Sequence, residues 1–412
     1  MYGRVLGTLT QSDGGQHTFT YADPNARTPL SLSMPPRSEP YPHRTVEPFL
    51  EGLLPERQSV RTALGELFGV SGRNPFALLE HVGLDCAGAV QFCRDDAVAD
   101  VLAGAGSLEP VVPGIPERLR ALRADPARWV IDREHWSLAG AQAKFALRHE
   151  GGWWSATGAE PTSHIFKPGI DDLKDQALNE HVCLTAARAV GLRAAHSEYE
   201  VWGDQPAIVI TRYDRAPTSS GLARIHQEDL CQARSVYPRD KYESDGGPRA
   251  VDLVATLRRV GPPSVRAENV SRFVDALLFN YLIGAPNAHA KNYSVLLVGD
   301  DVRLAPLYDV ASGLAYERRN IAGMGSAAMA IGGEKGFGSV GREQLERFAS
   351  EARLDAPTLI ARMQELATAI PAAMAEALSD PSVRSRSREI EARLMPPVST
   401  LCARTVRQLD AS

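Results

Sequence analysis

Between Phe279 and Asp309 the chain leaves an apolar helical run at Gly284 and crosses a polar loop. It then enters two short strand-like runs, Tyr293–Val298 and Val302–Leu304, parted by Gly299-Asp300-Asp301. A loop pinned between a helix end and a hairpin is held by rigid elements, and such loops are where binding and catalytic side chains gather. This one reads Gly284-Ala-Pro-Asn287-Ala-His289-Ala-Lys291-Asn292, and past the hairpin Leu307-Tyr308-Asp309 closes the segment with a carboxylate. A fold that serves this segment must bring Asp309 back beside the loop.

The rest of the chain divides around it. Residues 1–30 alternate about Gly7 and the Gly14-Gly15 turn and predict a hairpin, while Val46–His81 is helical in period, with a helix expected over Pro75–Val82. Residues 104–116, with Gly and Pro crowded together, read as a linker. Strand-like runs follow at Lys144–Arg148, Trp153–Ser155, His164–Lys167, Tyr199–Trp202 and Ala207–Tyr213, interrupted by a helix over Gln176–Val190. Beyond about residue 225 the pattern is mostly helical. Its end, Gln344–Leu409, is expected to break at Pro371, Pro381 and Pro396-Pro397. The glycines at 332, 333, 336 and 338 around Lys335 read as a mobile loop, and the Trp153-Trp154 pair as hairpin packing. The predicted organisation is α+β: an N-terminal subdomain over 1–105, a β-rich lobe over 106–215 and a helical lobe over 216–412. That is the two-lobed outline of a kinase.

Composition removes several alternatives. A net charge of −5 gives no broad basic surface for autonomous nucleic-acid binding. Five scattered cysteines with no C-x-x-C spacing suit a reducing cytosol, and His43, His135, His149 and His196 show no metal spacing. No apolar run reaches the roughly 18 residues of a membrane span, and the first residues lack the apolar core of a signal peptide. The expected setting is soluble and cytoplasmic.

Phosphoryl transfer needs a lysine on the phosphates, a carboxylate to orient it, metal ligands and a base for the incoming hydroxyl. The chain offers these in kinase order. Lys167 ends the run His164-Ile-Phe-Lys, and Glu180 sits in the following helix. Asn287 and Asn292 have the five-residue spacing of a catalytic-loop base and its metal-binding asparagine, and Asp309 is placed as a second metal ligand. Taken singly, each has a plain alternative: a strand-end lysine, a solvated helix glutamate, a turn aspartate. Their shared order sets them apart from chance. A phosphate-cradling turn is offered by Ser137-Leu-Ala-Gly140-Ala141-Gln142-Ala-Lys144, although with one glycine it reads equally as a hairpin turn.

The same stretches resemble motifs of the HipA kinase toxins. Ser137–Lys144 is similar to S-[IL]-x-G-A-Q-x-K, Gln227–Gln232 to Q-E-D-x-C-Q, Lys241–Gly247 to K-Y-E-x-x-G-G, and Gly284–Asn292 to G-x-x-D-x-H-x-K-N. Pro29–Pro35, Phe49–Glu56 and Asp85–Gln91 resemble typical N-terminal stretches of that family. The resemblance implies a HipA/PI3-4-kinase-like fold and a serine/threonine protein kinase toxin using ATP and Mg²⁺. It also implies a HipB-like helix-turn-helix antitoxin, operator DNA reached through that antitoxin, and a target such as glutamyl-tRNA synthetase. In nucleotide binding it implies Gly140, Ala141, Gln142 and Lys144 at the phosphate loop, Lys167 and Glu180, Thr211 to Tyr213 as hinge, and His289, Asn292 and Asp309. Asn292 and Asp309 would hold the metal, His289 and Lys291 would line the catalytic loop, and Ser137 would be autophosphorylated.

One position departs from the pattern. The family carries Asp where this chain has Asn287, and an amide cannot accept a proton at neutral pH. The expectation is an intact ATP site with greatly weakened transfer. A deliberate Asp-to-Asn exchange fits best, because Lys167, Asn292 and Asp309 are all kept. A natural pseudokinase that scaffolds an antitoxin, and a small-molecule kinase, are the alternatives.

Overall fold

The computed structural model describes residues 1–125, 127, 134–219, 221–316 and 324–410. The first elements are β1 (Gly7–Gln11), β2 (His17–Tyr21), α1 (His43–Leu53), α2 (Gln58–Phe68), α3 (Pro75–Val82) and α4 (Val98–Leu102). Next come β3 (Gly106–Pro110), α5 (Ile115–Ala124), β4 (Phe145–His149), β5 (Trp153–Gly158), β6 (His164–Lys167) and α6 (Gln176–Ala189). They are followed by β7 (Ser197–Trp202), β8 (Gln205–Thr211), β9 (Arg215–Thr218), β10 (Gly221–Arg224) and β11 (His226–Asp229). The remainder comprises α7 (Ala250–Leu257), α8 (Pro263–Leu282), β12 (Ser294–Val298), β13 (Asp301–Leu304), β14 (Ser326–Ile331) and β15 (Glu334–Gly336). Three helices close the chain: α9 (Arg342–Ala352), α10 (Ala356–Ser379) and α11 (Arg384–Asp410).

Two compact units result. One contains Met1–Asp171, Glu200–Pro238 and Ser294–Val302; the other contains Asp172–Tyr199, Arg239–Tyr293 and Arg303–Ser412. The first is built on a sheet of order β3-β5-β4-β6-β8-β7. Its core joins Phe49, Leu53, Trp136, Phe145 and Phe166 in one apolar cluster, with the Phe145 and Phe166 rings stacked 4.9 Å apart. Trp153 stands edge-on to Phe166 at 4.8 Å, which is the packing role expected of it.

Within the stretch 104–116 expected as a linker, Gly106–Pro110 form strand β3 and α5 begins at Ile115. β3 pairs antiparallel with β5, Gly106 opposite Gly158 and Pro110 opposite Trp154. Pro110 is tolerated because β3 is the outermost strand of its sheet. Gly106 serves close approach, since a Cβ there would lie 2.5 Å from the Thr157 carbonyl oxygen.

The second unit is helical, and α8 runs through it with Phe273, Phe279 and Tyr281 buried. Only Pro381 of the expected proline breaks lies between helices; Pro371 sits inside α10 and Pro396-Pro397 inside α11. A proline removes one hydrogen bond per ring, and here burial along α10 and α11 outweighs that loss. The glycine-rich stretch expected to be mobile forms the β14–β15 hairpin, in which Gly332 and Gly333 both take positive φ (58° and 88°) between the paired Ile331 and Glu334. The Tyr281 hydroxyl anchors the chain beyond β15, accepting from the Gly338 and Val340 N–H groups at 2.7 and 3.0 Å. β11, inside the region expected to be helical, pairs with β12.

Candidate active site

In the first unit, β6 pairs with both β4 and β8, which places Lys167 opposite Ile208 at the end of a central strand. Lys167 is buried. The Ser137–Lys144 segment lies against the end of α1. The buried Ser137 Oγ donates to the Leu53 carbonyl at 2.8 Å, and the Glu56 N–H donates to the Gly140 carbonyl at 3.0 Å. Gly140 has φ +101° and its turn is closed by Lys144 Nζ on the Ala139 carbonyl at 2.6 Å. Ala141 is exposed and Gln142 half-buried beside it. Thr211 ends β8 opposite His164, and the Tyr213 hydroxyl donates to Gln227.

Between Thr211 and Tyr213 the chain is fixed by a charge cluster that sequence reasoning missed. Asp85 takes Arg215 at 2.7 Å, Arg212 at 3.2 Å and Arg224 at 3.1 Å. Asp214 takes Arg212 and Arg215, each at 2.9 Å, and accepts the Gly88 N–H at 2.7 Å. Burial raises the Asp85 carboxyl, but Arg215, Arg212 and Arg224 outweigh burial and hold it well below the usual carboxylate range.

In the second unit, Glu180 is fully buried on α6, unlike the solvated residue a lone helix glutamate would suggest. The loop after α8 folds on itself: the Asn287 carbonyl accepts from the His289 N–H at 2.9 Å and from Asn292 Nδ2 at 2.6 Å. That bond turns the nitrogen end of Asn292 toward the loop's own backbone. Tyr308, beyond β13, ties the chain back to the loop, donating to the Lys291 carbonyl at 2.7 Å. The next residue, Asp309, is half-buried with φ +57°, a left-handed conformation that favours glycine and is retained where surroundings impose it. Asn287 itself is exposed, open to an incoming group.

His289 is buried, and neither ring nitrogen has a hydrogen-bond partner. Burial, then the Lys241 charge, push its pKa down to about 3, with Asp309 acting the other way. An orphaned buried imidazole that feels the Asp309 charge fits a polar ligand, and the oxygen donors of Asn292 and Asp309 are of the kind that suits a hard cation such as Mg²⁺.

Residues 136–374 match the family model of the HipA-like C-terminal domain, and residues 1–93 match that of the HipA N-terminal domain. The chain belongs to the HipA family. It is 30% identical to the serine/threonine-protein kinase toxin HipA of Shewanella oneidensis over 346 residues, covering 80% of this chain and 76% of that one. Y4mE of Sinorhizobium fredii is 35% identical over 389 residues, covering 92% and 91%. Among solved structures, Shewanella oneidensis HipA, in a complex with HipB and its operator DNA, superposes with a TM-score of 0.80 at 26% identity, covering 98% of this chain and 96% of that one. The fold is therefore the kinase-like α+β fold of HipA.

Several HipA-type motifs turn out to hold one another. Glu228 of Gln227–Gln232 accepts from Ser31 and from the Leu32 N–H, both in Pro29–Pro35. Gln232 Nε2 donates to the Phe49 carbonyl at 2.9 Å, and a Cβ on Gly52 would lie 2.5 Å from the Gln232 side chain. These stretches carry architecture rather than chemistry.

His43, expected to stand apart from any metal grouping, lies with His17 and Glu47, their ligand atoms all within 4.8 Å. Their hydrogen bonds assign the protons. Asn74 caps α3 with Oδ1, so its Nδ2 donates to Gln11 Oε1, and Gln11 Nε2 donates to His17 Nε2 at 2.8 Å. His17 therefore carries its proton on Nδ1 and gives it to Glu47, while His43 Nδ1 accepts the His17 backbone N–H at 3.1 Å. The trio is a hydrogen-bond relay in which both His17 ring nitrogens and His43 Nδ1 are already engaged.

Proposed function

We propose that this chain is the serine/threonine protein kinase toxin of a toxin–antitoxin pair, with an ATP and Mg²⁺ site and a phosphotransfer step weakened by Asn287. The observation that carries the reading is the closed loop Asn287–Asn292, tied through Lys291 and Tyr308 to the segment after β13 that holds Asp309.

In this reading Lys167 holds nucleotide phosphates, Glu180 is the carboxylate that kinase order supplies, and Gly140, Ala141, Gln142 and Lys144 offer the phosphates a turn. The backbone of Thr211–Tyr213 meets the adenine. Asn292 and Asp309 hold Mg²⁺, which when bound neutralises charge gathering on the phosphate oxygens. Asn287 cannot take the proton of the incoming hydroxyl. His289 is too weak a base to stand in, because its pKa is pushed down to about 3. A general base contributes on the order of 10²–10⁴-fold, and that is the deficit expected here.

Ser137 is the proposed autophosphorylation site. Its Oγ is a donor to the Leu53 carbonyl, so a phosphate in that place would set acceptor against acceptor and expel the segment. The partner is a HipB-like helix-turn-helix antitoxin that carries the operator DNA contact, consistent with a net charge of −5 on this chain. The protein target is an aminoacyl-tRNA synthetase, glutamyl-tRNA synthetase being the family precedent. Among the described residues no helix is long and apolar enough to cross a membrane, and the cysteines are free, which supports a cytoplasmic setting.

Asn287 itself favours a second reading, a pseudokinase that binds ATP and serves the antitoxin as a co-repressor scaffold. The test is ATP binding by both proteins, followed by γ-phosphate transfer to Ser137 in wild type and Asn287→Asp. The kinase reading expects a gain of on the order of 10²–10⁴-fold. ATP binding with no gain selects the scaffold, and transfer to sugars or aminoglycosides but not to protein selects a small-molecule kinase.

A further inference from the structure

We propose that Tyr242 is the positioning residue for the side chain at 287, and that the Lys241–Gly247 turn exists to hold it there; this rests on the kinase reading above. The Tyr242 hydroxyl donates to Asn287 Oδ1 at 2.6 Å, and its ring stands edge-on to His289, centroids 4.7 Å apart at 90°. Asn287 is exposed, so little packing selects its rotamer, and an unrestrained side chain spreads over several staggered wells. Its backbone carbonyl is already fixed by His289 and Asn292. Tyr242 fixes the other end.

The turn is shaped for that task. The Tyr242 carbonyl accepts from the Asp245 and Gly247 N–H groups at 3.0 and 2.9 Å. Gly246 takes φ +85°, and a Cβ on Gly247 would lie 2.1 Å from the Asp240 carbonyl oxygen and 2.6 Å from that of Tyr242. Next to Tyr242, Glu243 accepts the Ala330 N–H at 2.7 Å with Lys335 Nζ at 4.0 Å, which pins the turn to β14. Tyrosine, two glycines and glutamate thus act as one clamp on residue 287.

The chemistry follows from the acceptor count. With aspartate at 287, one carboxylate oxygen keeps the phenol proton donor and the other stays free for the substrate hydroxyl. With asparagine, the single oxygen is the atom Tyr242 engages and the other end is a donor, so the clamp persists without a base.

Four proteins test this: wild type, Tyr242→Phe, Asn287→Asp and the double variant. Between Asn287→Asp and the double variant, kcat for Ser137 labelling is expected to fall about 10- to 100-fold, with the KM for ATP and the thermal midpoint unchanged. Equal kcat in the two overturns the proposal while leaving the kinase reading intact. If Asn287→Asp shows no transfer, the kinase reading fails, and side-chain amide NMR of wild type against Tyr242→Phe still decides the clamp. The Asn287 NH₂ pair, assigned by its absence in Asn287→Asp, is expected to move toward solvent-averaged positions in Tyr242→Phe. An unmoved pair overturns the proposal.

Discussion

Asn179 and Ser312 exchange two hydrogen bonds: Asn179 Nδ2 donates to the Ser312 carbonyl at 2.8 Å, and its Oδ1 accepts the Ser312 N–H at 3.1 Å. The Ser312 hydroxyl in turn donates to the Ile283 carbonyl, and the Gly313 N–H donates to the Gly284 carbonyl at 2.8 Å. One buried amide therefore ties α6, the end of α8 and the segment after Asp309. Asn179→Ala leaves two buried backbone groups without partners and is expected to lower stability by about 2–4 kcal/mol. Asn179→Asp keeps the shape but loses the donor, so it also destabilises. Urea denaturation of the three proteins checks the order, wild type above both variants.

Removing Asp85 takes a buried carboxylate from three guanidinium groups, of which Arg212 and Arg215 keep Asp214. Asp85→Ala is expected to destabilise by about 3–5 kcal/mol, the usual consequence of leaving one side of a buried pair uncompensated. The folded pKa is depressed, so the contribution of this carboxylate is present above the ordinary aspartate range and is lost as pH falls through the folded value. The acid limb of a stability-versus-pH curve should therefore be shallower in the variant.

Two neutral groups on β11 give slopes of opposite sign. Burial raises Glu228 to about 8 and lowers His226 to about 4. Glu228 contributes stability below its unfolded pKa of 4.5 that is lost as pH rises through 8. His226 contributes stability above 6.5 that is lost as pH falls through 4. Glu228→Gln should flatten the alkaline side of the thermal-midpoint curve and His226→Gln the acid side. An unchanged curve in either variant would show that the residue is not held neutral.

The adjacent glycines of the Lys241–Gly247 turn should rank differently. A Cβ on Gly246 meets open space, and its substitution by alanine is expected to cost about 1–2 kcal/mol from its positive φ. Gly247→Ala sets a carbon against two backbone carbonyls and cannot be relieved by a side-chain move. It should cost more, and should displace the Asn287 amide signal as Tyr242→Phe does. Thermal midpoints of the two variants give the order.

Much of this was legible from residue order. The Ile-Phe-Lys run ends in β6 at Lys167, α6 starts at Gln176 as its period indicates, and α3 spans Pro75–Val82 because Asn74 caps it and Pro75 suits its first turn. Local rules failed where distant partners decide. β3 exists because β5 lies beside it, and Pro371 stays helical because its neighbours bury the helix. Tyr242 was visible only as a letter in a motif, since its partner lies 45 positions further along. Asn179 carried no local signal, because a backbone 133 positions away gives it meaning.

The seat of Ser137 sets a clock. With its hydroxyl committed to the Leu53 carbonyl and only 2% of the residue exposed, any chemistry on that oxygen must wait for the segment to lift out. The rate of such a reaction then tracks the frequency of those excursions, however fast the catalyst. A ligand that steadies the end of α1 would lengthen the wait without touching a single catalytic atom.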